Sequence, residues 1–314
     1  LEKGIVVKST GSWYDVRLAD GQRLACRIRG KFRLGKMKLT NPVAVGDEVM
    51  VVREADGKGL IKQILSRRNY VARQSPRKRT ELHLLAANID QAVLIVTVKY
   101  PNLKQGFIDR FLLMTEPFDI PTIIVFNKVD LYDEGDMAVF AYLHDIYTSI
   151  GYQVLLTSAT QQRGTDAFAE VLKDKMTLLS GQSGVGKSSL VNAIQPHLHL
   201  RTGELSGYTG KGKHTTTFAE MFELDFGGFI IDTPGIKTLS FNYLDPLDVA
   251  HNFREFFALS ESCRFGGKCL HRDEPGCAVK EGVELGVVSE LRYFNYLAIL
   301  DEIAEQKHWE RPKV

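Results

Sequence analysis

Gly181-Gln182-Ser183-Gly184-Val185-Gly186-Lys187-Ser188 matches the pattern GxxxxGK[ST], with apolar Met176–Leu179 before it and a helical run after it. A loop of this kind works only where a strand hands over to a helix N-terminus. There the inward backbone N–H groups and the helix dipole together hold phosphate oxygens. The stretch therefore demands strand, loop and helix in an α/β layer. Lys187 can reach the outer phosphates, and Ser188 can ligate Mg²⁺.

The surrounding pattern agrees. From Ile89 onward, apolar strands (Ala92–Val98, Thr122–Phe126, Gln153–Thr157, Thr177–Leu179, Phe229–Ile231) alternate with helical segments at Gly106–Thr115, Met137–Ile150, Asp166–Lys173 and Lys187–Ile194. Such alternation predicts a mainly parallel sheet covered on both faces. Three more strand ends carry chemistry. Asp232-Thr233-Pro234-Gly235 can place a carboxylate on Mg²⁺ and the Gly235 N–H on a γ-phosphate. Asn127-Lys128-Val129-Asp130 offers a carboxylate for guanine N1–H and the 2-amino group. Adenine lacks both donors and would leave Asp130 unpaired, a costly arrangement for a buried polar group. Lys128 can lie along the base, and Asn127 can tie the loop to the phosphate loop. Thr157-Ser158-Ala159 can present a backbone N–H to guanine O6. The candidate nucleotide ligands are thus Asn127, Lys128, Asp130, Ser158, Ala159, Gly181 through Ser189 (Gln182, Ser183, Gly184, Val185, Gly186, Lys187 and Ser188 among them), Thr216, Asp232 and Gly235.

The order is unusual. Ordinary GTPases place the phosphate loop first and the base loops last; here the base loops come first. The same sheet can still close when the old termini are joined and the chain is cut elsewhere, because termini tend to lie close together. Arg201–Thr217, rich in Gly and Lys, stands where a switch I loop belongs. One of its threonines should supply a second Mg²⁺ ligand beside Ser188, and Thr216 is the middle choice. The residue after Gly235 is Ile236, where Ras-like enzymes carry a water-orienting Gln. His214 is the catalytic candidate in its place, since an imidazole near neutral pH can donate or accept a hydrogen bond. Ordering the loop or touching RNA are the other roles open to His214.

Charge separates the N-terminal part. Residues 1–80 carry 19 Lys/Arg and 7 Asp/Glu, whereas the chain as a whole is only +2. Gln22–Asn41 and Gly57–Thr80 are basic runs without a single acid, which points to a polyanion such as nucleic acid. Short patterned segments at Ile5–Lys8, Trp13–Leu18, Leu24–Ile28, Glu48–Val52 and Leu60–Leu65 predict a small barrel, of the OB type or a near relative. Residues 66–87 read as a basic linker. A composition of 44% hydrophobic and 25% charged residues excludes wholesale disorder and fibrous folds. No apolar run approaches the ~20 residues of a membrane span. Nothing near Leu1 reads as a secretory signal, and four Cys, three of them clustered near one His, are not a disulfide framework, so the expectation is a reducing, cytoplasmic setting and no membrane partner.

Beyond Leu239 the strands stop. Asp248–Leu259 and Val287–Gln306 read as helices, with Cys263-x₅-Cys269-x-His271-x₅-Cys277 between them. Three thiolates and one imidazole make a closed tetrahedral zinc set, structural rather than catalytic. Cys26, isolated in a strand, reads as a core residue.

Taken together, NKVD, TSA, GQSGVGKS, GKHTTT, DTPG and the Cys₃His spacing resemble the circularly permuted GTPases of small-ribosomal-subunit biogenesis, the RsgA family, over essentially the whole chain. The resemblance implies a monomeric, multidomain enzyme: an all-β OB-like RNA-binding barrel over 1–70, an α/β circularly permuted P-loop GTPase domain over 71–240, and an α-helical zinc-binding domain over 241–314. It implies binding to the 30S subunit and 16S rRNA late in assembly, GTP hydrolysis stimulated by the subunit, and departure in the GDP state. Its expected cofactors are one structural Zn²⁺ and Mg²⁺ with GTP or GDP. A GTP-controlled factor for another RNA is the alternative.

Overall fold

The computed structural model describes residues 1–28, 39–74, 81–198, 219–233 and 244–305. Five N-terminal strands, β1 (Glu2–Ser9), β2 (Tyr14–Leu18), β3 (Arg23–Ile28), β4 (Glu48–Arg53) and β5 (Gly59–Ile64), run in spatial order β1-β2-β3-β5-β4. β4 also pairs with β1, so the sheet closes into a barrel. Alternation dictates the core: Tyr14, Val16 and Leu18 face inward with Leu24, Cys26, Val49 and Val51. Cys26 is fully buried there, as expected. β1 slips its pairing with β2 once. Val6 pairs with Val16 and Lys8 with Asp15, leaving Val7 in a bulge. Val6 turns into the barrel core, and Val7 turns into the neighbouring core that holds Met221 and Ile231.

Residues 66–87 are not a linker. They contain a two-stranded antiparallel ribbon, β6 (Tyr70–Gln74) and β7 (Leu82–Ala87). Its apolar residues Ala72, Leu82, Leu84 and Ala87 pack with Ala44. At its base Arg67 forms a paired bridge to the buried Asp47, with Nε–Oδ1 and Nη2–Oδ2 both 2.6 Å. The basic composition hid this ribbon, because its stability comes from contacts distant in sequence.

The α/β layer follows as β8 (Gln91–Val96), α1 (Phe107–Thr115), β9 (Thr122–Phe126), α2 (Glu134–Ser149), β10 (Gln153–Leu156), α3 (Thr165–Leu172), β11 (Met176–Gly181), α4 (Lys187–Ile194), β12 (Glu220–Glu223) and β13 (Phe229–Asp232). The order across the sheet is β10-β9-β8-β11-β13-β12. All neighbours are parallel except β12, which runs antiparallel to β13. Each central strand feeds two cores by its period of two. Leu94, Ile124 and Leu178 face α1 and α2, while Val93, Val125 and Leu179 face α3 and α4. β12 went unread in the sequence because Glu-Met-Phe-Glu carries too little pattern. It exists because β13 and β1 flank it. Lys8 pairs with Glu220 across the β1–β12 joint, so barrel and α/β layer share one sheet.

The C-terminal region is helical: α5 (Pro246–His251), α6 (Arg254–Ser260), α7 (Ala278–Glu284) and α8 (Glu290–Glu305). The single helix expected over Asp248–Leu259 is interrupted at Asn252–Phe253, and α7 was not foreseen. The interruption sets the Phe253 ring 4.6 Å from the Arg292 guanidinium. Arg292, 1% exposed, binds Asp109 of α1 at 2.5 Å through Nη1 and both carboxylate oxygens of Glu255 at 2.5 and 2.9 Å. Tyr147 and Asn295 complete the Asp109 carboxylate at 2.9 and 2.6 Å. Among the described residues no helix is long and apolar enough to cross a membrane.

Removing one member of a buried, satisfied ion network strands its partners. Arg292→Met should therefore lower stability by about 3–5 kcal/mol. Urea unfolding followed by helical circular dichroism measures this.

Candidate functional site

The C-terminal ends of β9, β10, β11 and β13 all lie at one edge of the sheet, because these strands are parallel. β8 and β11 are neighbours there, with sequence-consecutive strands departing to either side. That is the crevice where open α/β sheets take ligands.

The phosphate loop turns from β11 into α4. Gly184 and Gly186 adopt φ values of +86° and +89°. A Cβ on Gly186 would sit 2.6 Å from the Asn127 amide nitrogen, so only glycine allows the base loop to approach. Asn127, 1% exposed, donates through Nδ2 to the Val185 carbonyl at 2.9 Å and accepts at Oδ1 from Thr157 Oγ1 at 3.0 Å. One side chain thus ties three strand-end loops together. Tyr132 supports it from behind, donating to the Asn127 carbonyl at 2.9 Å and accepting from the Val98 N–H at 2.8 Å.

Lys128 lies in the left-handed region at φ +65°, and its Nζ donates to the carbonyls of Tyr100 and Gly184 at 2.7 and 2.6 Å. The aliphatic stem is thereby stretched across the crevice. Asp130 accepts from Ser158 Oγ at 2.5 Å and from Thr160 Oγ1 at 3.0 Å. Burial pushes its carboxyl up, but the two hydroxyl donors, a backbone N–H and the Lys128 charge together outweigh burial and hold it below the usual carboxylate range. It therefore presents a charged acceptor at neutral pH. Ala159 follows Ser158 in the same turn, which an N–H bond from Gln161 to Ser158 Oγ closes at 3.1 Å. Thr160 carried no signal in the sequence beyond its nearness to Ser158.

Lys187 folds back on its own loop, donating to the Gly181 and Gln182 carbonyls at 3.2 and 3.4 Å. Burial pulls the Lys187 ammonium down, against the opposing pull of the Asp232 charge. Burial likewise pushes Asp232 up, with Lys187 opposing. The two groups sense each other across the loop where phosphate oxygens and a cation could lie. Thr233, missed as a contributor, donates from Oγ1 to the Leu179 carbonyl at 3.0 Å and locks β13 to β11 beneath the site. Ser183 and Ser189 are exposed, and Ser188 is half-buried at the start of α4. His214, Thr216 and Gly235 lie outside the described residues.

A second site is fully assembled. Cys263, Cys269, His271 and Cys277 are all buried, and their donor atoms lie within 4.8 Å of one another. His271 Nδ1 stands 3.4 Å from Cys277 Sγ and 3.7 Å from Cys263 Sγ, and those sulfurs are 4.0 Å apart. Zn–S bonds of ~2.3 Å give a tetrahedron with edges of about 3.8 Å. All four thiols of the chain are free, so no disulfide competes. The donor set and spacing fit a closed tetrahedral metal.

The fold and the crevice define a circularly permuted P-loop protein with a base loop suited to guanine. Residues 64–242 match the family model described as RsgA GTPase, and residues 3–61 match the RsgA N-terminal domain. The chain is 48% identical over 306 residues to the small ribosomal subunit biogenesis GTPase RsgA 2 of Bacteroides thetaiotaomicron, covering 98% of both. Among solved structures, YjeQ from Thermotoga maritima superposes with a TM-score of 0.77 at 38% identity, covering 98% of this chain and 99% of that one. YloQ, described as a circularly permuted GTPase, gives 0.72 at 33%, covering 100% and 97%. This chain belongs to the RsgA GTPase family.

Gly186→Ala forces a Cβ against Asn127 at a strained φ. Guanine nucleotide affinity should fall at least tenfold while the barrel stays folded. Titration with a fluorescent GDP analogue, alongside circular dichroism, measures both.

Proposed function

We propose that this protein is a GTP phosphohydrolase that binds the small (30S) ribosomal subunit, couples hydrolysis of GTP to late maturation of that subunit, and leaves after hydrolysis. The observation that carries the reading is the Asn127 tie between base loop and phosphate loop. It makes a permuted chain present the same preassembled guanine and phosphate contacts as an unpermuted one. Similarity over nearly the whole length to a small ribosomal subunit biogenesis GTPase supports the ribosomal assignment.

In this reading Asp130 pairs with guanine N1–H and the 2-amino group, and the Ala159 N–H meets O6. Lys128 covers a face of the base. Gly181 through Ser189 wrap the phosphates, and Lys187 moves from its carbonyls onto phosphate oxygens. Ser188 and Thr216 would hold Mg²⁺, with Asp232 contributing to its site, and the ion would supply neutralisation of the charge on the phosphates. The Gly235 N–H meets the γ-phosphate. Because Ile236 can neither donate nor accept, His214 orients the attacking water. Water adds to the γ-phosphorus as the bond to the β-phosphate oxygen breaks, yielding GDP and inorganic phosphate. The cysteines and His271 hold one zinc ion that folds the C-terminal region. The basic barrel of residues 1–70 contacts 16S rRNA through salt-dependent phosphate pairing.

Asp130→Asn replaces one acceptor oxygen with a donor amide. GTP affinity should fall about 10- to 100-fold, the worth of a hydrogen bond to a charged group, and xanthosine triphosphate should gain. Competition binding tests it; unchanged preference removes the base-site assignment.

His214→Ala should keep GTP affinity and 30S cosedimentation but lose most 30S-stimulated turnover. Phosphate release measured with 30S subunits, 50S subunits and free RNA checks this. Equal stimulation by 50S or free RNA points to another RNA target, and stimulation that survives the substitution moves water positioning to another group.

A further inference from the structure

We propose that Glu274 is the positioning residue of the metal centre: it clamps the backbone on both sides of His271 and so directs Nδ1, rather than Nε2, to the metal. The inference rests on the zinc assignment above and extends it to a residue outside the ligand set.

His271 adopts φ +54°, in the left-handed region that non-glycine residues occupy uncommonly, though histidine enters it more often than most. Hydrogen bonds on either side of it fix the backbone there. Glu274 Oε1 accepts the Leu270 N–H at 2.9 Å, and Oε2 accepts the Arg272 N–H at 2.8 Å. One carboxylate thus bridges the Cys269–Leu270 and His271–Arg272 peptide groups and spans the backbone that carries His271. Both its oxygens are engaged by amides, so Glu274 is a clamp and not a fifth donor. The carbonyls are held from the other side. Tyr293 donates to the His271 carbonyl at 2.8 Å, and Tyr296 donates to the Leu270 carbonyl at 2.5 Å. The ring itself is packed edge-on to Phe256 at 5.7 Å between centroids. With backbone and ring both fixed, Nδ1 faces Cys263 and Cys277.

A carboxylate suits this task because it offers two equivalent acceptors to two N–H groups. An amide of the same shape offers one acceptor and turns a donor against the second N–H. Partners of this kind around a metal ligand typically change metal affinity 10- to 100-fold when removed. The clamp also explains why two tyrosines of α8 point at a loop rather than into solvent: they hang the metal loop on that helix.

The test uses the full chain loaded with Co²⁺ or Zn²⁺. Wild-type protein should show the visible bands of a tetrahedral thiolate–cobalt site. Nitrogen-15 NMR of the zinc form should show His271 bound through Nδ1 with a proton on Nε2. Glu274→Gln should release zinc to a chromogenic chelator 10- to 100-fold faster, with the barrel and nucleotide binding intact. Tyr293→Phe, a milder change, should accelerate release several-fold, and this keeps the test open should Glu274→Gln fail to fold. Coordination through Nε2, or wild-type release rates in a folded Glu274→Gln protein, overturns the clamp alone. Absence of the cobalt bands in wild-type protein overturns the zinc assignment and the clamp with it.

Discussion

The guanidinium of Arg292 joins the C-terminal helices to the nucleotide-binding layer. Burial alone would drive it toward neutrality, but Asp109 and Glu255 more than reverse that and raise its affinity for the proton. Every charged oxygen in the network has a partner, from Arg292, Tyr147 or Asn295. A desolvated ion pair contributes little unless satisfied in this way, and losing one member is severe. Two things hang on it. α8 carries Tyr293 and Tyr296 to the metal loop. α1 follows the loop in which the Tyr100 carbonyl receives Lys128. The Cys₃His cluster and the base loop are thus linked through packed, hydrogen-bonded elements.

At the opposite edge the link is a sheet rather than an ion. Period-two alternation lets β1 serve two cores, with Val6 toward the barrel and Ile5 and Val7 toward the neighbouring core. The joint is reinforced by ion pairs from Lys8 to Glu220 and Arg17 to Glu223, and Arg17 also stacks over Phe229. β12 follows in sequence on the Gly- and Lys-rich stretch 201–217, so the barrel is bonded to the first strand after that stretch.

Permutation leaves the crevice chemistry intact because that chemistry depends on strand ends and not on chain order. What changes is connectivity. The segment after Asp232-Thr233 leads into the helical region instead of another nucleotide loop. The Asp232-Thr233-Pro234-Gly235 stretch is thereby placed next in sequence to the helical region that carries the Cys₃His cluster.

The parts legible in the sequence were those whose physics is local. Gly184 and Gly186 declare their turns, Asn127 to Asp130 follow an apolar strand, and the Cys₃His spacing survives any fold. Barrel strands announced themselves by alternation, and α4 by its place after the phosphate loop. What the tertiary structure alone decided has no local signature. β6, β7 and β12 are strands because of distant partners, in segments too basic or too short to show a period. Nothing in the sequence sets Glu274 apart from the other 37 acids, and two amides converge on it only in the fold. Nothing in the sequence sets Arg292 apart from a charge on a helix surface, yet it is among the largest fully buried side chains of the described residues. A charge can be buried only where several partners meet it, and a linear pattern records one residue's chemistry, not the partners that folding brings to it.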